Sequence, residues 1–216
     1  MGDGIGLNRV HFPVTALGPG RRVGIWLQGC SIRCAGCMSL DSWAAPRSTE
    51  PVSELLERMA AWLSEADGVT ISGGEPFDQP QALKALLSGL RGMQCGPVLV
   101  YSGYPLRRLV DEYPATLALI DVLISEPFEE AHSEPALLRG SSNQRVTCIT
   151  ARGVEMWKAA EVAGTAAPVI NIVADESGDL WLAGIPRPGD LARLSAALAR
   201  GGLGGKTSAG RLGGAS

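Results

Sequence analysis

The feature that most constrains this chain is a group of three cysteines, Cys30, Cys34 and Cys37, that follows an apolar run directly. Their spacing is C-x3-C-x2-C, which is too tight for an extended strand and does not place all three on one face of a helix. The pattern therefore predicts a loop that wraps three thiols around a common centre. Gly29 and Gly36 supply the backbone freedom that such wrapping requires.

Several kinds of site compete for these cysteines. Disulfides are disfavoured because the cluster is odd in number and the chain has no recognisable secretory signal. Structural zinc needs four ligands, and the two histidines, His11 and His132, lie outside the cluster. A cubane iron–sulfur cluster is normally held by four cysteines, so three would leave one iron open to a substrate or cofactor. We favour the open cluster over zinc, and zinc over three unrelated buried cysteines.

The composition is that of an ordinary globular protein. The 216 residues suit one domain, and the formal net charge of −3 does not suggest nucleic acid or a membrane as the main partner. No segment approaches the roughly 20 apolar residues of a membrane span, so a cytoplasmic location is expected. Cys95 and Cys148 lie far apart and are expected to be small core residues.

Apolar runs and helical periodicity alternate along the chain. Strands are predicted at 23–28, 68–72, 97–101, 119–124 and 145–149. Helices are predicted at 51–66, from Asp78 with Gln81 completing a capping box, at 106–113, at 153–163 and from 188 onward. A hairpin is expected from 169–173 and 180–182, and residues 127–143 form an irregular loop long enough to be functional.

This alternation predicts an α/β fold with a mainly parallel sheet covered by helices. With four to six β/α units, an open partial barrel of (βα)6 type is favoured over a complete eight-fold barrel, followed by the hairpin and a last helix. One domain is expected over 1–200, with a flexible glycine-rich tail at 201–216. Ligands of such sheets lie beyond the carboxyl ends of the strands, where the cysteine loop, Gly73-Gly74-Glu75, Ser102 and Ser125 all fall.

The cysteine spacing resembles the signature of radical S-adenosylmethionine (SAM) enzymes, although Gly36 stands where that superfamily often has an aromatic residue. Gly73-Gly74-Glu75, one β/α unit later, is similar to the superfamily's second motif. The resemblance implies a partial barrel of radical SAM type and a 4Fe–4S cluster on Cys30, Cys34 and Cys37, with SAM chelating the open iron. It further implies that Gly73, Gly74 and Glu75 bind the amino group of SAM, and that Gly36 and Met38 contact its adenine.

Further motifs between about residues 17 and 150 resemble, in order, the activating proteins of anaerobic ribonucleotide reductase. The motifs are Tyr101-Ser102-Gly103-Tyr104, Asp121-Val122-Leu123, Pro127-Phe128 and Leu138-Arg139-Gly140-Ser141-Ser142-Asn143-Gln144-Arg145. The resemblance adds Ser102, Ser125 and Asn143 to the implied cofactor-binding residues. One departure stands out: that family usually reads Asp-Gly-Pro-Phe where this chain has Ser125-Glu126-Pro127-Phe128.

What the resemblance implies is a glycyl-radical activase. Reductive cleavage of SAM would give a 5′-deoxyadenosyl radical, which takes the α-hydrogen of a glycine in a partner such as anaerobic ribonucleotide reductase. A flavodoxin or a ferredoxin-type protein would donate the electron. Two alternatives stay open: a radical SAM enzyme acting on a small molecule or peptide, and a non-catalytic zinc protein.

Overall fold

A computed structural model describes residues 4–134, 136–163, 170–174, 180–186, 189–201, 206–207 and 210–211. Its strands are β1 (Gly4–Ile5), β2 (Leu7–Val14), β3 (Arg22–Leu27), β4 (Glu50–Pro51), β5 (Gly68–Gly73), β6 (Val98–Tyr101), β7 (Val122–Ser125), β8 (Arg145–Cys148), β9 (Ile170–Ala174), β10 (Leu180–Gly184), β11 (Lys206–Thr207) and β12 (Gly210–Arg211). Its α-helices are α1 (Val52–Glu65), α2 (Pro80–Gly92), α3 (Leu106–Glu112), α4 (Pro114–Leu117), α5 (Ala151–Ala163) and α6 (Asp190–Arg200).

Six strands form the main sheet in the order β2-β3-β5-β6-β7-β8. The four inner strands β3, β5, β6 and β7 are parallel, whereas β2 and β8 are antiparallel to their neighbours. Helices connect the parallel strands, as the sequence predicts, so the carboxyl ends of all four lie along one edge. The mixed α/β class with a mostly parallel central sheet is therefore confirmed.

The core lies mainly between the sheet and helices α1 to α4. Strand residues alternate between the two faces, so Val98 and Val100 pack with Leu55 and Leu86 of these helices. Leu99, between them, faces the opposite side and packs with Met156 of α5. Because both faces of the inner strands are covered, these strands read as continuous apolar runs in the sequence.

The β9–β10 hairpin covers part of the second face. Its antiparallel pairing confirms the predicted hairpin, although residues 175–179 at its turn lie outside the described part of the chain. Asn171 Oδ1 accepts hydrogen bonds from the backbone N–H groups of Thr15 (2.9 Å) and Ala16 (3.0 Å). The Trp181 ring lies 5.4 Å from that of Trp26 on β3, so the hairpin is attached by both polar and aromatic contacts.

Two features differ from the sequence-based expectation. Residues 7–14, which show no clean alternation and contain Pro13, form the long edge strand β2, because pairing with β3 satisfies their backbone groups. Strand β8 is antiparallel, and the described part of its connection to β7 contains a short 3-10 helix (Glu130–His132) but no α-helix of the kind that a parallel crossover uses. The predicted glycine-rich tail lies mostly outside the described residues, of which Lys206–Thr207 and Gly210–Arg211 pair as short strands. No helix in the described part of the chain is long and apolar enough to cross a membrane.

Asp121, just before β7, organises the amino-terminal edge of the sheet. Its fully buried carboxylate pairs with Arg91 (3.1 Å) and Arg152 (2.8 Å), and accepts the Val98 N–H at 2.8 Å. Burial alone would raise the pKa of Asp121, but the hydrogen bonds from Arg152, Thr150 and Val98 prevail and lower it. Helices α2 and α5 are thereby fixed to the same sheet edge.

We expect Asp121→Ala to lower the free energy of unfolding by about 3 kcal/mol, because two arginines lose their buried partner. Asp111→Ala is the matched control, since Asp111 is exposed and its contact with Arg107 is 3.8 Å long; its effect should stay below about 1 kcal/mol. The pKa of Asp121 is lower in the folded than in the unfolded protein. The loss in free energy of unfolding caused by Asp121→Ala should therefore be complete at pH values above the pKa of the unfolded state, and it should disappear as the pH falls through the pKa of the folded state. Urea titrations at several pH values test both statements, and equal effects of the two substitutions would contradict them.

Candidate metal and cofactor site

The cysteine loop begins directly after β3, and its first residues are hydrogen-bonded to residues 42–43, where the loop ends. Gly29 adopts a φ of 100°, which favours glycine, and its N–H donates to Ser42 O at 2.7 Å. The N–H of Cys30 donates to Trp43 O at 3.3 Å. The three thiols are therefore held in one closed loop at the carboxyl edge of the sheet, where the sequence predicts them.

Each thiol is partly buried. Cys37 Sγ accepts a hydrogen bond from the Ser39 N–H at 3.4 Å, and the backbone N–H groups of Phe128 and Arg33 act on Cys34 and Cys30 respectively by favouring the thiolate. Burial raises the pKa of Cys30 and of Cys34, and the N–H donors oppose this rise because they stabilise the thiolate. Backbone N–H groups directed at sulfur suit the thiolate ligands of an iron–sulfur cluster, so the donor set fits the group that the motif implies.

No group of three or more His, Cys, Asp or Glu side chains in the described residues is arranged to hold a metal ion. A cubane differs from a single ion because each cysteine binds a different iron. Its ligands therefore surround a volume instead of converging on one point. The three cysteines are spaced along one closed segment of backbone, an arrangement that is compatible with such a site.

Gly73 and Gly74 are in backbone-to-backbone contact with the segment that leads into the cysteines. A Cβ on Gly73 would lie 2.4 Å from Leu27 N, and one on Gly74 would lie 1.9 Å from Gly29 O. Hydrogen bonds join the same segments, from Gly74 N–H to Leu27 O (2.8 Å) and from Glu75 N–H to Gly29 O (2.9 Å). Both glycines are thus required for packing, whatever they contribute to a cofactor.

Glu75 is almost completely buried, with 1% of its surface exposed. Its Oε1 accepts from the Phe77 N–H (3.0 Å) and the Ser102 hydroxyl (2.8 Å), and its Oε2 accepts from the Gly103 N–H (2.8 Å). Burial raises the pKa of Glu75 to about 7, against the effect of these three donors. The side chain therefore joins the ends of β5 and β6, a role that the sequence motif does not reveal.

Ser102 and Ser125 follow the next two strand ends and differ in their contacts. Besides its bond to Glu75, the Ser102 hydroxyl oxygen accepts the Tyr104 N–H at 3.1 Å, so it is engaged within the protein. The Oγ of Ser125 is fully buried and has no hydrogen-bond partner among the described residues. Such a group costs free energy unless a ligand or water completes it, which makes Ser125 the better cofactor-binding candidate of the two.

The two ends of the loop 126–144 are hydrogen-bonded to each other at this edge of the sheet. Asn143 Nδ2 donates to Pro127 O at 2.8 Å, and Gln144 Nε2 donates to Glu126 O at 3.3 Å. Asn143 Oδ1 is buried without a partner among the described residues, like Ser125 Oγ. Ser125 pairs with Arg145 across β7 and β8, so both unpaired oxygens belong to the same end of this strand pair.

Glu126 belongs to the Ser125-Glu126-Pro127-Phe128 segment, and it adopts a φ of 82°. This left-handed conformation is strained for a residue with a side chain. Its carboxylate accepts the Leu106 N–H at 3.0 Å and its own N–H donates to Tyr104 O at 3.2 Å. These contacts hold the strained residue and connect β7 to the start of α3.

Gly36 and Met38 lie on the outer part of the cysteine loop. Gly36 has a φ of 73°, and a Cβ there would lie 3.0 Å from the carboxyl carbon of Glu130. Met38 is 37% exposed. The loop 126–144 therefore contacts the cysteine loop twice, through Glu130 at Gly36 and through Phe128 at Cys34.

Asp78 is a residue whose role the sequence reading misses. The capping box predicted for it is wrong: α2 begins at Pro80 after Gln79, with no side-chain cap. Instead, Asp78 Oδ2 accepts the Ser31 N–H at 2.7 Å, and Oδ1 accepts the hydroxyls of Ser31 (2.9 Å) and Tyr104 (2.5 Å). Its position three residues after Glu75, at the same strand end, is the signal that would have pointed to the site.

Comparison with known proteins places this geometry in a family. The sequence model of the 4Fe-4S single cluster domain matches residues 16–147. Three relatives are named anaerobic ribonucleoside-triphosphate reductase-activating protein. That of Vibrio cholerae is 30% identical over 62% of this chain and 92% of its own length, that of Escherichia coli K12 31% over 63% and 94%, and that of phage T4 27% over 60% and 85%.

The chain therefore belongs to the 4Fe-4S single cluster domain family, and the resemblance to the reductase-activating proteins is confirmed. The match spans the cysteine loop, all four parallel strands and the loop 126–144. Helix α5, the β9–β10 hairpin and α6 follow the matched segment. These elements therefore lie outside the segment that matches the family model.

We expect Gly74→Ala to displace the cysteine loop, because the new methyl group would overlap Gly29 O. Overpacking of this kind costs about 1–3 kcal/mol, and iron uptake on anaerobic reconstitution should fall with it. Gly92→Ala is the control, since a Cβ there meets nothing within 4 Å, and it should leave both properties unchanged or raise stability. Iron analysis and thermal unfolding measure the two effects; wild-type iron content in Gly74→Ala would contradict the packing role.

Proposed function

We propose that this protein is a radical SAM enzyme that installs a glycyl radical on a partner enzyme. The observation that carries the proposal is the packing of the closed cysteine loop against Gly73-Gly74-Glu75 at the carboxyl edge of a parallel sheet. The proposal is also supported by the relatives that are named as activating proteins of anaerobic ribonucleoside-triphosphate reductase.

In this proposal Cys30, Cys34 and Cys37 hold a 4Fe–4S cluster. The bound cluster and SAM supply one-electron reductive cleavage of a sulfonium bond, and the protein supplies position and environment. The Ser39 N–H donates a hydrogen bond to Cys37 Sγ, and the Phe128 N–H favours the thiolate of Cys34. The loop 126–144 lies beside the cysteine loop at Cys34 and at Gly36, so it borders the proposed cluster site.

SAM would lie along the strand ends beside these cysteines. Gly73 and Gly74 allow the backbone to come close to its amino group, and Gly36 and Met38 would contact its adenine. The unpaired Ser125 hydroxyl would donate a hydrogen bond to, or accept one from, a polar group of SAM, and the unpaired Oδ1 of Asn143 would accept one. Ser102 and Glu75 would mainly hold each other in position, since the Ser102 hydroxyl donates its hydrogen bond to Glu75 and not to a ligand.

The remaining parts of the proposal concern architecture and partners. The sheet would curve into an open partial (βα)6 barrel formed by one domain over 1–200. Anaerobic ribonucleotide reductase or a similar glycyl-radical enzyme would be the partner. A flavodoxin or ferredoxin-type protein would deliver the electron in the cytoplasm.

A second function, radical chemistry on a small molecule or peptide, is favoured by one specific observation. The β9–β10 hairpin lies beyond the family match and packs on the second face of the sheet through Trp181 and Asn171. A cover on this face changes the space that a substrate can reach from the strand ends. A small substrate fits a covered site more readily than the loop of a partner protein does.

Anaerobic reconstitution is the first test of the cluster. We expect roughly four irons per chain, as cubane chemistry requires, and formation of 5′-deoxyadenosine with SAM and dithionite. Cys34→Ala should abolish this cleavage while leaving the far-UV circular dichroism unchanged, because the cysteine lies in a loop. Cys148→Ala is the control at the end of β8, outside the cysteine loop, and should retain cleavage. Tightly bound zinc without cleavage would overturn the proposal.

The partner assignment has its own test. Incubation of the reconstituted protein with SAM, dithionite and a purified anaerobic ribonucleotide reductase should give the doublet of a glycyl radical in electron paramagnetic resonance. The Cys34→Ala variant should give no such signal. SAM cleavage without any glycyl radical, together with turnover of a small substrate, would favour the second function instead.

A further inference from the structure

Asp78 binds the cysteine loop immediately after its first thiol. The carboxylate accepts the N–H of Ser31 at 2.7 Å and the hydroxyl of Ser31 at 2.9 Å, so both donors of the residue next to Cys30 are directed to it. A third donor, the phenol of Tyr104, approaches at 2.5 Å from the β6 end. With these three hydrogen bonds, the Asp78 side chain connects three segments of the site.

The negative charge of Asp78 has no salt bridge among the described residues. Arg108 lies over the Tyr104 ring at 3.7 Å, but its Nε is bound by Glu112 at 3.1 Å. The Arg33 side chain is exposed and donates to Cys30 O at 3.4 Å, so water screens much of its charge. Asp78 therefore contributes negative charge beside Cys30 that no direct ion pair cancels.

We infer that Asp78 is a positioning residue that holds the cysteine loop against the β5 end and lowers the reduction potential of the cluster. This inference rests on the proposed function, since it concerns the cluster that Cys30 would help to hold. The potential of an iron–sulfur cluster depends on the net charge around it, on hydrogen bonds to sulfur and on exposure to solvent. A fixed carboxylate beside one ligand makes the addition of an electron less favourable.

A low potential has a direct consequence for the proposed chemistry. Cleavage of a sulfonium bond requires a strongly reducing electron, so negative charge near the cluster increases the driving force of that transfer. Glu130, which lies against Gly36 on the other side of the loop, adds a second carboxylate with the same sign. The charge of Asp78 is the better defined of the two, because three hydrogen bonds fix its position.

The test is a potentiometric titration of the reconstituted protein, which follows the one-electron reduction of the cluster by dithionite in the presence of mediators. Asp78→Asn keeps the size of the side chain and an acceptor for the Ser31 N–H but removes the charge. We expect its reduced-to-oxidised ratio at a fixed solution potential to rise about tenfold, which is about 59 mV for a one-electron couple. Glu65→Gln removes the same charge at the far end of α1, where Glu65 contacts Arg21 at 3.7 Å, and should leave the potential unchanged.

The variant Tyr104→Phe distinguishes the effect of the Asp78 charge on the reduction potential from the effect of the position of the cysteine loop. It removes one hydrogen bond but keeps the carboxylate, so we expect the potential to stay equal or become more negative. If Asp78→Asn fails to take up iron, Tyr104→Phe still tests the inference. A positive shift of its reduction potential would mean that displacement of the loop, and not the charge of Asp78, sets the potential. In the apo protein, hydrogen exchange of the Ser31 amide should be faster in Asp78→Asn than in the wild type, because a neutral amide oxygen accepts a weaker hydrogen bond than a carboxylate does.

The outcomes separate the inference from the proposed function. A wild-type protein that binds no cluster would overturn both. A wild-type protein that holds the cluster and cleaves SAM, with an Asp78→Asn variant of unchanged potential, would overturn the inference alone. Unchanged exchange of the Ser31 amide in the apo variant would overturn the positioning role by a measurement that needs no cluster.

Discussion

The site depends on one contact between backbones, the approach of Gly74 and Glu75 to Gly29. The Glu75 N–H reaches Gly29 O at 2.9 Å, and no side chain at Gly74 fits in the space between. This contact fixes the entry of the cysteine loop relative to the end of β5. The Glu75 side chain then extends the fixed region to β6 through Ser102 and Gly103. Two glycines and a buried carboxylate thereby fix neighbouring strand ends in position relative to the cysteines.

An element can be predicted from the sequence where its residue pattern is compatible with only one kind of local structure. The inner strands are apolar because both of their faces are covered, and helices α1 and α2 carry apolar stripes because one face of each packs on the sheet. The cysteine loop is predictable because no regular element accommodates its spacing. The position of all these motifs at one edge follows from the parallel connections alone.

Other parts depend on contacts between residues far apart in the chain, which no local pattern records. Asp78 reads as a helix cap because it precedes a helix, yet Ser31, 47 positions earlier, binds it. Edge strand β2 lacks a clean alternation because its residues are only partly buried on either face. The left-handed Glu126 cannot be inferred from its identity, since its conformation is imposed by contacts to Tyr104 and Leu106.

The segment after the family match alters the second face of the sheet without touching the contact at Gly29. Trp181 lies against Trp26, the residue just before the last position of β3, while the helix-covered face of the same strand holds Leu27. The two faces of β3 therefore have different neighbours: one face packs in the main core under the helices, and the other packs against the β9–β10 hairpin. Because the cysteine loop is attached through backbone contacts at the strand ends, the second face can change its cover while the loop keeps its position. This separation is a physical reason why the hairpin can cover the second face without displacing the cysteine loop.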